Sequence, residues 1–413
     1  PCERWITMWR RSIAGLGIVF AACSGPASTS SSPSSASSAR STASTTPVTA
    51  PHIQPRLDRP SMAYDAPRQQ VILFGIPTGE AAVSQTWAWK NGRWTQLHPP
   101  TSPPPRTWAG MAYDGTTQTT VLFGGQSEAS GAPMQDTWTW DGTTWSKATA
   151  ASGPPATVGP QIADDPALGR LIMLIDTQPE GTKQLTETWA WDGRTWAQLQ
   201  PLTNPPAPRF GGVMAYDNAT RQIVLFGQIV FIVGPQVGQT DTATWTFDGR
   251  TWTSHASSVH PRGLEFGSMA YDAATSTLVH FGGGEAFDFF NDTWAWSGAG
   301  WKQLSPSNSP WIRDEPVVAY DAADRQILVY GGGVRTQVSG TTYYDTWSWD
   351  GLTWTLRQAS ASAASSDQLQ AMVAAAGPHV AGQAASTGTI GVGAGDFAFA
   401  SQPPRAPGGG CQA

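Results

Sequence analysis

The chain has 413 residues, of which 24 are basic and 30 acidic, so its formal net charge is −6. Charged residues make up only 13% of the sequence, which leaves no basic stripe to neutralise phosphates and excludes nucleic acid as an expected partner. The 44 glycines and 33 prolines indicate a fold that is rich in turns.

The first segment, residues 1–23, has the pattern of a secretory signal. Basic residues precede an apolar run from Ile13 to Ala22, which is too short to span a hydrocarbon core of about 30 Å. The run ends in Ala-Ala-Cys and resembles the bacterial lipobox, with Phe20 where that motif usually has Leu. We expect lipidation at Cys23 and a secreted, cell-surface or membrane-anchored lipoprotein that meets the membrane only through this anchor. An unlipidated signal is the alternative.

Residues 24–56 are rich in Ser, Thr, Ala and Pro, with almost no aliphatic side chains. Such a segment buries too little apolar surface to offset the entropy of ordering it, so it is predicted to be a disordered linker.

Between residues 57 and 360 one pattern occurs six times. The copies are variants of one consensus: an aliphatic-Ala-Tyr-Asp start, an aliphatic run into Phe-Gly-Gly, and a Thr-Trp-x-Trp-Asp-Gly-x-x-Trp end. We call the Tyr of each start the Tyr position; the six are Tyr64, Tyr113, Asp164, Tyr216, Tyr271 and Tyr320. Successive copies lie 49, 51, 52, 55 and 49 residues apart. A period near fifty that is made of short strands predicts a β-propeller.

The alternation within each copy predicts four strands, so the fold class is all-β: a six-bladed propeller of four-stranded antiparallel blades. Asp-Gly pairs such as Asp141-Gly142 predict two-residue type I′ hairpins between the third and fourth strands, and Asn91-Gly92 and Ser297-Gly298 take the same place in the first and fifth copies. Of the 21 Trp, 17 fall at motif positions, and we expect them to pack between neighbouring blades. The first and sixth blades are expected to meet face to face.

The residues after the repeats, 361–413, are rich in Ala, Ser and Gly and contain no Trp. They are predicted to be a mostly disordered tail, with a fragmentary extra blade as the alternative. The three cysteines, Cys2, Cys23 and Cys411, all lie outside the propeller, so it can hold neither a disulfide nor a Cys-ligated metal. No metal or cofactor is expected, and the sequence gives no sign that the protein is other than a monomer.

The repeats resemble the kelch-repeat β-propellers, the family that includes the central domain of galactose oxidase. The resemblance rests on diglycines after an aliphatic strand, followed by aromatic third and fourth strands, as in Gly124-Gly125, Gly282-Gly283 and Gly331-Gly332. The third copy departs from it, with Leu174-Ile175-Asp176 in place of Phe-Gly-Gly. The family's copper-radical oxidases need a Tyr crosslinked to a Cys, which a propeller without Cys cannot form. Copper-radical oxidase activity is therefore argued against.

Two connections of each blade, from strand two to strand three and from strand four to the next blade, should emerge on one face. The first carries the length variation between copies, and the second is long and Pro-rich. Loops mounted on a rigid scaffold are where recognition concentrates, so this face is the predicted binding face. On it, Arg106, Arg209 and Arg313 each stand seven residues before a Tyr position and are candidates for clamping an anionic ligand. The alternative is that each pairs with an Asp of a neighbouring blade.

Trp108 and Trp311 lie outside the motif positions and are candidate platforms for a ligand. The acidic residues before Thr-Trp, Asp136, Glu187, Asp292 and Asp345, occur too often to be one catalytic group. They are expected to accept hydrogen bonds from backbone donors at the end of the loop.

No catalytic residues are predicted, because no nucleophile motif or cluster of His and carboxylates occurs in the repeats. The sequence favours a non-catalytic, surface-tethered binding or scaffold protein that recognises a protein or a glycan. The alternative is an extracellular carbohydrate-active hydrolase or lyase at the channel mouth, which needs a carboxylate pair or a His there.

Overall fold

A computed structural model of the protein describes residues 54–79, 83–149, 153–177, 185–206, 211–227, 241–285, 288–335 and 340–359. The predicted signal segment with Cys23, the linker up to residue 53 and the tail 361–413 lie outside these ranges.

The described residues form six four-stranded antiparallel sheets, each with its strands in sequence order, which confirms the all-β, six-bladed propeller. The strands of blades one and two are Leu57–Asp65, Gln70–Pro77, Gln85–Lys90 and Arg93–Leu97, then Gly110–Asp114, Thr119–Phe123, Thr137–Trp140 and Trp145–Lys147. Those of blades three and four are Gln161–Asp165, Arg170–Thr177, Leu185–Trp191 and Trp196–Gln198, then Val213–Asp217, Gln222–Phe226, Thr244–Phe247 and Trp252–His255. Those of blades five and six are Ser268–Asp272, Thr277–Phe281, Thr293–Trp296 and Trp301–Leu304, then Val317–Asp321, Gln326–Tyr330, Thr346–Trp349 and Trp354–Gln358.

Three short strand pairs and one helical turn complete the described secondary structure. The pairs are Arg106–Thr107 with Gln126–Ser127, Gly284–Glu285 with Asp288–Phe289, and Gly333–Arg335 with Gly340–Thr342. The helical turn is the 3-10 segment Ala66–Arg68. In the part of the chain that the structure describes, no helix is long and apolar enough to cross a membrane.

The first strand of each blade contacts the first strands of the blades on either side, so the six strands surround a central channel. The ring closes as expected, with the first and sixth blades packed face to face. Trp94 of the first blade lies in one buried cluster with Leu328 and Tyr330 of the sixth. Tyr330 takes the place of the Phe found in most blades, and its hydroxyl donates to the Pro55 carbonyl over 2.8 Å. The stretch before Arg59 belongs to the first blade, where Leu57 pairs with Pro77.

The last Trp of every repeat also joins neighbouring blades by a hydrogen bond. Its indole N–H donates to the hydroxyl of the Thr that directly precedes the first motif Trp in the third strand of the preceding blade, for instance Trp196 to Thr137 over 3.0 Å. The other five bonds run from Trp94 to Thr346, Trp145 to Thr86, Trp252 to Thr188, Trp301 to Thr244 and Trp354 to Thr293, over 2.7–3.0 Å. The sequence predicted that these rings pack between blades, and each ring also has its polar atom satisfied.

The predicted two-residue hairpins are correct only in the first blade, where Lys90 pairs with Arg93 across Asn91 and Gly92, both at positive φ. In the other blades the flanking aromatic residues pair and four residues form the loop, as between Trp140 and Trp145. In the four of these blades that have Asp before the Gly, the Asp side chain stabilises the wider loop; the fifth blade has Ser297 there. The Asp141 carboxylate accepts the backbone N–H groups of the residues two and three ahead, which stabilises a wider loop and leaves only the Gly at positive φ.

Candidate functional site at the mouth of the central channel

The residue five places before each Tyr position, which we call the mouth position, differs from blade to blade. The six residues, in blade order, are Arg59, Trp108, Gly159, Gly211, Phe266 and Glu315. All six have a positive φ, between 38° and 82°. Four of them therefore hold a large side chain in a backbone conformation that L-residues other than Gly rarely adopt.

The positive φ has a structural origin, because hydrogen bonds link the backbone at one mouth position to the backbone at the mouth position of the neighbouring blade. The Gly159 N–H donates to the Trp108 carbonyl over 2.9 Å, the Phe266 N–H to the Gly211 carbonyl over 2.7 Å, and the Glu315 N–H to the Phe266 carbonyl over 2.8 Å. Gly would meet this requirement at lowest cost, since the left-handed conformation costs other residues about 1–2 kcal/mol. Blades three and four use Gly, and the other four do not.

The four side chains occupy consecutive blades and form an arc, in which Arg59 contacts the side chains of Glu315 and Trp108 across two blade boundaries. Arg59 is the centre of this arc: its Nε donates to Glu315 Oε2 over 2.9 Å, and its guanidinium carbon lies 4.3 Å from the centre of the Trp108 ring. Asp58 Oδ2 is 3.3 Å from Arg59 Nη1. The two Gly of blades three and four leave the opposite side of the mouth without side chains. The site is thus asymmetric although the scaffold has nearly sixfold symmetry.

Below the mouth is a cavity of about 270 Å³, lined by four consecutive residues of every blade beginning at the mouth position. The fourth residue of each set is apolar; these are Met62, Met111, Ile162, Met214, Met269 and Val318. Together they form an apolar floor. The polar side chains between floor and mouth already donate to backbone, with Ser61 bound to the Ala109 carbonyl and Gln161 to the Gly159 carbonyl.

Arg106 and Arg313, predicted as ligand clamps, are buried and form the same contacts in their two blades. Arg106 binds both carboxylate oxygens of Asp136, at 2.5 and 2.9 Å, and Arg313 binds those of Asp345, at 2.7 and 3.0 Å. Each Nη1 also donates to the carbonyl of the first Gly of the diglycine, and each Nε donates to a backbone carbonyl two residues before the Arg. The guanidinium groups therefore brace the loop between strands two and three. The Asp partner belongs to the same blade, not to a neighbouring one as the alternative had it.

The acidic residues before Thr-Trp have side-chain partners, so the expectation of backbone donors is wrong for them. Asp136, Glu187 and Asp345 each accept the indole N–H of the Trp two residues on. Asp292 binds Arg262 instead. Burial acts to raise the pKa of Asp136, but the hydrogen bonds from Arg106 and Trp138 hold it below its ordinary value. These carboxylates are structural anchors of the loop.

The two candidate tryptophans have different positions. Trp108 holds a mouth position and lines the cavity. Trp311 is half-buried outside this cavity, and its carbonyl accepts the Arg313 Nε–H over 3.0 Å. Arg209 lies outside the described residues. Of the three mouth residues that the sequence did not single out, Arg59 and Glu315 carry the charge of the site and Phe266 adds a second ring.

The hydrolase or lyase alternative needs a carboxylate pair or a His at this place. Glu315 lines the cavity and Asp58 lies beside it, but both bind the same guanidinium, and the lining contains no His. Within the described ranges no group of three or more His, Cys, Asp and Glu is placed to hold a metal ion. The geometry therefore does not favour the enzymatic alternative.

The far ends of the innermost strands carry one further exception, Asp164, where the other blades have Tyr. Burial and the nearby Asp114 raise the pKa of Asp164 to about 7, although a backbone hydrogen bond from Gly115 opposes the shift. The Asp that follows each Tyr position is buried, and in blades two to six it accepts backbone N–H groups of the next turn, as Asp114 does from Thr116 and Thr117. This end of the channel shows a structural carboxylate network.

The protein is therefore a six-bladed β-propeller whose distinctive residues gather at one mouth of its channel. No protein-family model matches the sequence, and no curated protein matches it. Among solved structures it is similar to one titled "Structure of YjhT", with a TM-score of 0.55 and 14% sequence identity over 74% of this chain and 99% of the other. At that identity the similarity supports the fold alone.

Proposed function

We propose that the protein is a non-catalytic binding module whose recognition site is the channel mouth. The observation that carries the proposal is the use of Arg59, Trp108, Phe266 and Glu315 at positions where the backbone favours Gly. A positive φ alone does not mark a site, because non-Gly residues also adopt it in the turn between strands one and two, at Gln69, Gln118, Arg221, Ser276 and Arg325. At the mouth the strained residues also line one cavity, and strained residues are found preferentially at functional sites. The four side chains form one continuous arc on the face that also carries the variable loops, and a cavity lies beneath them.

The ligand class of this proposal is a protein or a glycan, as the sequence suggested. Of the residues predicted from the sequence, Trp108 belongs to the proposed site. A ligand-binding role for Arg106 and Arg313 stays a prediction, and their buried ion pairs do not favour it. We also propose a kelch-type propeller held at the cell surface through Cys23; the Cys23→Ser variant should then be released from membranes.

The Gly residues at the mouth positions of blades three and four suggest the variant that tests the site. Trp108→Gly with Phe266→Gly installs the residue that blades three and four already carry, so the backbone requirement is kept. Labelled full-length wild type should bind particular members of a glycan array or a peptide array, and the double variant should lose at least tenfold in affinity at those members. Leu352→Ala is the matched control, because it removes an exposed apolar side chain in a hairpin loop on the opposite face. If the double variant melts like the wild type and still binds all the same array members, the channel mouth is not the recognition site.

A further inference from the structure

We infer that the cavity under the mouth accepts an apolar side chain of a peptide or protein ligand, and not a sugar ring. This inference rests on the proposed function, because it names the ligand class for the same site. The floor of the cavity carries it: of its six apolar side chains, Met62 and Met269 are buried between blades, whereas Met111, Ile162, Met214 and Val318 are only half-buried and can contact a ligand. Met is unbranched and polarisable, and it adapts to apolar groups of varied shape.

Apart from Arg59 at the rim, the Ser and Gln side chains of the cavity wall already donate to backbone carbonyls, so they offer a sugar few free hydrogen-bond donors. Ser61 and Ser268 donate their hydroxyl hydrogens to the Ala109 and Pro316 carbonyls, and the Gln161 amide donates to the Gly159 carbonyl. A sugar ring placed on the floor would leave several hydroxyls unpaired, and each buried hydroxyl without a partner costs about 1–3 kcal/mol. An apolar side chain makes no such demand.

The size and charge of the cavity favour one side chain of a larger ligand. Its volume of about 270 Å³ is below the range of about 300–1,000 Å³ that is typical of pockets for complete drug-sized molecules. At the rim, Arg59 already forms ion pairs through Nε with Glu315 and through Nη1 with Asp58. Two carboxylates and one guanidinium amount to a net charge of −1 beside the cavity, so the ligand should be neutral or basic next to its apolar group.

Arg59 also supplies the contact that would orient a peptide. Within the residues that the structure describes, its Nη2 donates to no protein acceptor, whereas Nε and Nη1 are both engaged. The guanidinium is fixed over Trp108, so Nη2 is held at the edge of the cavity. A main-chain carbonyl beside an inserted side chain is the acceptor that fits there. The Trp108 and Phe266 rings would cover the stem of the inserted side chain.

The test selects peptides from a random phage-displayed library on the immobilised full-length chain, with a glycan array in parallel. We expect the selected peptides to share one large apolar residue with a basic neighbour, and their affinity to fall at least tenfold in Met214→Gln. Met134→Gln is the matched control, since Met134 is similarly half-buried but lies outside the cavity. If Met214→Gln does not fold, methyl-labelled Met in the wild type gives the same information. The Met111 and Met214 methyl signals should then shift on peptide addition, and the Met134 signal should not.

Three results separate the hypotheses. Peptide binding that is sensitive to both Met214→Gln and the Trp108→Gly, Phe266→Gly variant supports the inference. Glycan binding that the mouth variant abolishes and Met214→Gln leaves intact overturns the inference but keeps the proposed function. Absence of any ligand that depends on the mouth residues overturns both.

Discussion

His280 is predicted to destabilise the propeller, and increasingly so as the pH falls. It is fully buried, and neither ring nitrogen has a hydrogen-bond partner in the described part of the chain. The equivalent residue in every other blade is aliphatic: Leu73, Leu122, Met173, Leu225 and Val329. Burial lowers the pKa of His280 from its ordinary value of 6.5 to about 3. The variant His280→Leu restores the residue type of the other blades.

At neutral pH two effects oppose each other in His280→Leu. Removing a buried polar group without a partner should stabilise by about 1–3 kcal/mol. The variant also loses two edge contacts of the imidazole, with Phe226 at 5.6 Å and Trp301 at 6.0 Å between ring centres. Each such contact contributes about 0.5–1.5 kcal/mol, so the net gain at pH 7.5 should be small.

At acidic pH, His280→Leu should be clearly more stable than the wild type. Between pH 6.5 and pH 3 the unfolded state binds a proton at His280 that the folded state excludes, so wild-type stability is lost as the pH falls through this window. At pH 5 the loss is about 2 kcal/mol, from 1.5 pH units at about 1.4 kcal/mol each. The stability advantage of His280→Leu should therefore grow by about 2 kcal/mol between pH 7.5 and pH 5.

The assay is denaturant unfolding of wild type and variant at both pH values, followed by Trp fluorescence. The exposed His98, replaced by Leu, is the matched control and should show no such growth. A His280→Leu advantage that is the same at both pH values would show that the imidazole is not held neutral, and would refute the reasoning.

Three further substitutions test the contacts that hold the ring, each by the change in free energy of unfolding. Tyr330→Phe should cost about 1–3 kcal/mol, because it removes the buried hydroxyl that binds the Pro55 carbonyl where the ring closes; an unchanged midpoint would contradict this. Thr137→Val should cost a similar amount, because it leaves the buried Trp196 indole N–H without its acceptor, and a neutral result would show that this bond contributes nothing net. Arg106→Met should cost about 3–5 kcal/mol, because it leaves the largely buried Asp136 carboxylate without its ion-pair partner. A loss of ligand binding without a loss of stability would instead support the clamp hypothesis.

The sequence predicted the fold well because the repeat encodes it redundantly. Six copies of one spacing specify the blade count, the strand order and the buried Trp, and these predictions are confirmed. The hairpin prediction was wrong in five blades, and in four of them the reason is that Asp-Gly was interpreted from backbone preference alone. The side chain of Asp141, by binding two N–H groups ahead of it, stabilises a longer loop.

The site was harder to predict because its residues do not form a motif; they differ between the six copies at one position of the repeat. Arg106 and Arg313 stood out as repeated charges, and each binds an Asp of its own blade in the same geometry. Arg59 and Glu315 occur once each and were not singled out. A comparison of the six copies at each offset from the Tyr position would have found them, since the mouth position holds a different residue type in most blades.

A ring of equivalent blades must break its symmetry before it can recognise an asymmetric ligand. The backbone cannot supply the difference here, since all six mouth positions share one conformation and the bonds that the structure shows between them are of one kind. The side chains supply it. Four blades accept an unfavourable backbone conformation to place Arg, Trp, Phe and Glu in one arc, while Gly159 and Gly211 keep the other side open.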